Sequence, residues 1–271
     1  MRKVISLLMV CVMLVCCTVM ATAVSVSPSD VNETREAQKI ARVKAEVLSG
    51  NITNEQDVIE VALAQHKERT IHMDDTTMCN LFSSSNENDS SLDIFEDTLT
   101  ISQYLGSFVD ESGNAIEEMA ITGLAVVNED GEQINPFSYT TVSGSQSGYS
   151  DAMRIGATLT MYVQKSFDEF GNVVYRANRL TTTVNGSVTA DTVLRQYYEY
   201  TDLVPTYYHN ESSDITPVLG NYYTFYTGDS WRYNENGGLR GWVVIRKGSN
   251  RLRFGIMFWN YTFEPYNSFI D

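Results

Sequence analysis

The stretch ATLTMYVQKSFDEFGN, Ala157–Asn172, decides the fold. In its first half Leu159, Met161 and Val163 recur at every second position between mostly polar neighbours. That is the period of a strand whose side chains alternate between two faces. In its second half Asp168 and Glu169 precede Gly171, and glycine tolerates the positive φ that a tight hairpin connection demands. A strand followed by such a turn predicts an antiparallel partner just beyond it.

The same unit recurs on either side. TLTISQYLGSFV, Thr98–Val109, alternates Leu99, Ile101 and then Tyr104 with polar neighbours, and runs into VDESGN. VNEDGE, starting at Val127, is a third turn of this type; YNENGG (Tyr233–Gly238) and RKGSN (Arg246–Asn250) supply two more. Repeated hairpins without intervening helices predict a mainly β chain, an antiparallel β-sandwich or barrel of about ten strands from roughly Asp93 to Asp271. The unequal spacing of the turns argues against a solenoid. FSYTTVSGSQSGYSD, Phe137–Asp151, carries no charge before Asp151 and reads as a loop or linker, so the seam at 137–151 is where residues 71–271 would divide into two β-modules.

Residues 24–70 read differently. In VNETREAQKIARVKAEVLSGN the apolar Ala37, Ile40, Ala41, Val43, Val47 and Leu48 fall at mixed three and four spacing, and Ser49-Gly50-Asn51 closes the helix. A second helix is expected from TNEQ, where Thr53 and Gln56 have capping-box spacing. The expected architecture is therefore a short two-helix segment ahead of the β region.

Before it, Met1-Arg2-Lys3, the apolar run Val4–Met20 and Ala21-Thr22-Ala23 have the order of a secretory signal peptide, residues 1–23, cleaved after Ala23. A secreted, extracellular protein with no stable membrane span is the expectation. Cys11, Cys16 and Cys17 leave with that segment, so Cys79 remains alone and no internal disulfide can form. A chain of this length can bury its core without staples, which suits an exported bacterial protein.

Removing Arg2 and Lys3 from 19 basic side chains leaves 17 against 34 acidic ones, a formal charge of −17. Nucleic acid is excluded as a general partner, because phosphate contacts need clustered Lys and Arg. The charge is uneven, however. From Thr70 to Met153 there is no Lys or Arg and there are fifteen acids, whereas Arg240–Arg253 holds five Lys or Arg and no acid.

Catalytic and metal chemistry find little support. His66, His72, Asp74, Asp75 and Cys79 lie close in sequence, yet their spacing matches neither a zinc finger nor H-E-x-x-H. NENDSSLD (Asn86–Asp93) and NEDGE (Asn128–Glu132) lack calcium-loop spacing. No G-x-S-x-G elbow or phosphate-cradling glycine loop occurs, and His209 with Asp214 is the one pair in the β region that would suit a triad. No cofactor and no metal are expected, and the chain reads as non-catalytic. Two alternatives stand beside that reading: an extracellular hydrolase using paired carboxylates, and a membrane-active toxin or bacteriocin-like protein. The second would use LTTTVNGSVTADTV, Leu180–Val193, as a membrane hairpin, a stretch that an ordinary exposed strand explains equally well.

The candidate binding site lies in WRYNENGGLRGWVVIRKGSNRLRFGIMFW, Trp231–Trp259, which holds all three tryptophans. Even positions Leu252, Phe254, Ile256 and Phe258 form one face, with Arg251 and Arg253 on the other; Trp242 and Val244 share a face with Arg246, opposite Val243 and Ile245. With a hairpin closed between Lys247 and Asn250, Arg246 and Arg251 flank the turn. The expected site is therefore Trp231, Tyr233, Trp242, Arg246, Arg251, Arg253 and Trp259. Its rings would stack on sugars and its guanidinium groups would grip carboxylates or phosphates. A glycan, a cell-wall polymer or a partner protein is the expected ligand.

Overall fold

Three five-residue turns, Asp110–Asn114, Asn128–Glu132 and Asp168–Asn172, are built alike. In each, the first residue's N–H donates to the fifth residue's carbonyl (2.9–3.0 Å) and the glycine N–H donates to the first residue's carbonyl (3.0–3.1 Å). Gly113, Gly131 and Gly171 take φ of 86°, 78° and 84°, the left-handed position that follows a type I turn in a bulged hairpin. Asp110 Oδ1 accepts the N–H groups of Ser112 and Asn114, and Asp168 Oδ1 those of Phe170 and Asn172, at 2.8–2.9 Å. The backbone and side-chain donors of Asn114 hold the Asp110 carboxyl below its ordinary pKa. The turn sequence is thus its own scaffold, with donors placed where the carboxylate needs them.

The computed structural model describes residues 28–72, 98–136, 153–185, 193–201, 207–211, 215–227, 238–247 and 250–259. Helices α1 (Pro28–Ser49) and α2 (Glu55–His72) precede strands β1 (Leu99–Val109), β2 (Ala115–Val127), β3 (Arg154–Phe167), β4 (Val173–Val184), β5 (Val193–Thr201), β6 (Tyr207–Glu211), β7 (Tyr222–Tyr226), β8 (Gly238–Lys247) and β9 (Asn250–Trp259). The chain falls into two compact units, Met1–Ala41 and Arg42–Asp271. In the first, the described residues are the opening turns of α1, exposed from 32 to 38.

The second unit is mainly β, as the alternation requires. One sheet runs β1-β2-β3-β4-β7 and the other β6-β5-β8-β9, with every ladder antiparallel. The two sheets share one core: Met119, Ile121, Leu159, Met161, Val163 and Leu180 from the first meet Val243, Ile245, Leu252, Phe254 and Ile256 from the second. The expected inward set Leu159, Met161 and Val163 is fully buried. A polar link crosses this core, where buried Gln196 donates through Nε2 to Thr182 Oγ1 (2.6 Å) and to the Tyr223 carbonyl (2.8 Å).

Helix α2 lies on the other face of the first sheet, with Val58, Ile59, Val61 and Ala62 buried. Its polar side chains reach sheet backbone: Glu55 accepts the Ile155 N–H (3.1 Å) and Gln65 the Ser102 N–H (3.2 Å). Helix α1 ends as its sequence indicates. Gly50 at φ 65° lets its N–H reach the Val47 carbonyl while the Asn51 N–H reaches Glu46, the paired bonds of a Schellman ending.

Two expectations are corrected. The cap of α2 is Asn54, whose Oδ1 accepts the N–H groups of Gln56 and Asp57 (3.1 and 3.3 Å). Thr53 instead donates its hydroxyl and N–H to Glu46 (2.7 and 3.0 Å), because the α1 ending brings that carboxylate to it, and asparagine caps at least as well as threonine. The Leu180–Val193 stretch also begins differently from an exposed strand. Residues 180–184 form the end of β4 between β3 and β7, and Thr181, Thr182 and Thr183 are buried. Thr182 faces the core between the sheets, whereas Thr181 and Thr183 share the opposite face with Thr122, Thr158 and Thr160, where the hydroxyls of Thr122 and Thr160 are hydrogen bonded at 2.8 Å. Residues 186–192 of that stretch, like the 137–151 seam and residues 1–23, lie outside the described residues.

Candidate functional site

Strands β8 and β9 commit alternate positions to the core. Leu239, Gly241, Val243 and Ile245 pair with Phe258, Ile256, Phe254 and Leu252, and those with described side chains are buried. At Gly241 the fit is close: a Cβ there would sit 2.9 Å from Leu180 Cδ2 of the opposite sheet. With one set of positions turned to the core, the other set belongs to the outer face of the sheet.

The outer face reads as rows across the strands. Val193, Arg246 and Arg251 make the first row, and Arg195, Val244 and Arg253 the second. The third is Glu211, Tyr197, Trp242 and Gly255; the fourth is His209, Glu199, Arg240 and Met257. The fifth is Tyr207, Thr201, Gly238 and Trp259. Rows follow one another at about 7 Å and strands at about 4.8 Å. Four arginine positions therefore surround Val244, and a row with two aromatic positions adjoins them.

Among the described side chains of this face, Arg246 is exposed, while Arg195, Arg240 and Trp242 are half-buried. Val244 is 2% exposed although it lies on the outer face. The Nε of Arg240 is buried with no hydrogen-bond partner, a state that costs about 1–3 kcal/mol for a typical polar group.

The register thus places five of the seven expected residues, Trp242, Arg246, Arg251, Arg253 and Trp259, on one face; Trp231 and Tyr233 lie outside the described residues. It adds Arg195 and Arg240. Arg240 shares the parity of Trp242 in LRGWVVIR, so alternation was a sufficient signal. For Arg195 there was none, because its place depends on β5 pairing with β8.

Elsewhere, charged groups satisfy one another. On the helix-side face of the first sheet, Glu118 Oε1 accepts from Gln164 and Asn178 (both 3.2 Å) and lies 3.7 Å from Arg179. The guanidinium of Arg179 covers the Tyr162 ring at 3.7 Å, and Arg176 Nε donates to Gln164 (3.0 Å). These contacts brace neighbouring strands of the first sheet against one another.

Among the described residues no group of three or more His, Cys, Asp or Glu could hold a metal ion, and no helix is long and apolar enough to cross a membrane. In NEDGE, Asn128 and Glu132 are bonded to each other across their turn. His66 and His72 belong to α2 and His209 to β6, whereas Asp74, Asp75, Cys79 and Asp214 lie outside the described residues.

The fold defines a mainly β protein of two antiparallel sheets, one of which has arginine and aromatic positions in register on its outer face. Comparison with protein-family models, curated proteins and solved structures finds no match.

Proposed function

We propose that the chain works outside the cell as a non-catalytic binding protein that holds an anionic extracellular polymer on the outer face of the β6-β5-β8-β9 sheet. The observation that carries this reading is the cross-strand pairing of Arg246 with Arg251, next to Arg195 and Arg253 in the neighbouring row. Like charges directly opposed on a sheet are destabilising. A chain with 34 acids to draw on nevertheless places four cations around one valine. Bound carboxylates or phosphates would relieve the repulsion of the Arg246–Arg251 pair, and arginine is the cation best shaped to fork onto them. The acidic remainder of the molecule favours a local contact over a general electrostatic coat. Export through the 1–23 segment would bring this face to cell-wall polymers or acidic glycans.

The test is retention of the purified chain on beads carrying polygalacturonate or inorganic polyphosphate. Retention at low salt is expected, with elution by added salt as screening shortens the reach of the charges, and loss of retention in the Arg246→Glu/Arg251→Glu variant. Equal retention of the variant, or no retention of the parent chain on either bead, rejects the site.

A further inference from the structure

We infer that the polymer is an acidic polysaccharide lying along the strands, with its sugar rings and its anionic groups read by different rows. This rests on the proposed binding face and goes one step further, to the chemistry of the ligand. The basis is the order of the rows along β8: Arg195 and Arg253, then Tyr197 and Trp242, then Arg240, then Trp259. Beyond the Arg246–Arg251 row, cation and ring positions alternate at about 7 Å per row.

A uniform polyanion such as polyphosphate has no use for the ring positions. It would be held best by an unbroken field of cations, since only its charge is available to be recognised. A polymer of uronic acid units supplies both parts. Its pyranose faces are flat and carry C–H groups that stack on aromatic rings, while its carboxylates suit the guanidinium forks.

The position of Arg240 agrees with this. It is half-buried and stands one row beyond Trp242 on the same strand. A carboxylate following a sugar stacked at Trp242 would arrive beside that row. Glu199 pairs with Arg240 across β5 and β8, so the row also holds an acceptor position suited to sugar hydroxyls.

The experiment measures solution binding of the full chain to oligogalacturonate and to polyphosphate of matched charge number, at one low ionic strength, with the parent chain and with Trp242→Leu and Trp242→Tyr. Oligogalacturonate is expected to bind about tenfold more tightly, equivalent to about 1.4 kcal/mol. Trp242→Leu should erase that advantage, and Trp242→Tyr should restore most of it. Equal binding of both polymers, or tighter polyphosphate, overturns the ligand assignment while the anionic binding face stands. If Trp242→Leu weakens both polymers alike, Trp242 acts as a structural support and the ring-reading role is overturned. Binding of neither polymer removes the face itself and this inference with it.

Discussion

Arg246 and Arg251 occupy directly opposed positions in the β8–β9 ladder, two guanidinium-bearing residues where a sheet ordinarily pairs opposite charges or apolar groups. Opposed like charges cost stability, so a local penalty is expected at this pair. Replacing Arg251 with Thr should raise the stability of the unliganded chain by about 0.2–1 kcal/mol. Urea denaturation measures it; a clear loss of stability would mean the pair is already compensated within the chain.

The closeness of the two sheets at Gly241 gives a second expectation. A methyl group there meets Leu180 at 2.9 Å, and overpacking of this kind costs about 1–3 kcal/mol. Gly241→Ala should therefore destabilise the chain, and Leu180→Val placed in the same molecule should recover part of the loss. Denaturation of the two single variants and the double variant shows whether the costs interact. Simple additivity would mean that the two residues do not compete for the same space.

Thr122 and Thr160 form a buried hydroxyl pair. Changing either one alone to valine strands its partner and should cost about 1–3 kcal/mol, whereas changing both should cost much less. A double-mutant cycle reads the coupling directly. A double variant as unstable as the two single losses added together would count against the pairing.

The α1 ending is expected to loosen at both extremes of pH. Burial raises the Glu46 pKa, but hydrogen bonds from Thr53 and Asn54 and the Arg42 charge outweigh it, so the carboxyl sits below its ordinary 4.5. A depressed folded pKa contributes stability that is present above 4.5 and is lost as pH falls through the folded value. Tyr222 is shifted upward from 10.0, first by burial and then by the nearby Tyr162, while its hydroxyl donates to the Leu48 carbonyl (3.0 Å). A raised folded pKa contributes stability that is present below 10.0 and is lost as pH rises through the folded value. Denaturation across the pH range should show a shallower acid limb in Glu46→Gln and a shallower alkaline limb in Tyr222→Phe. Unchanged limbs would place the pH dependence elsewhere.

Much of this architecture was legible before any coordinates, and the reason is local. Leu159, Met161 and Val163 advertise one face of β3 by alternation alone, and the D-E-x-G-N turns carry their own hydrogen-bond partners within five residues. The same locality put Arg246, Arg251 and Arg253 on one side of the β8–β9 hairpin. The cap of α2 was misplaced by one residue because Thr53 has a partner in the preceding helix, which a four-residue motif does not include. The burial of Thr181–Thr183 was hidden for a similar reason, since threonine on a strand looks the same whether water or another part of the chain covers it.

The sequence by itself determined the strand period, the turn chemistry and the parity of each side chain, because all three depend on backbone geometry over a few residues. The tertiary structure alone decided that β7 joins β4, that β5 lies between β6 and β8, and hence that Arg195 stands in the row of Val244 and Arg253. Which strand edges meet depends on the burial of the whole core and on chain closure over long separations, quantities that no short stretch of residues contains.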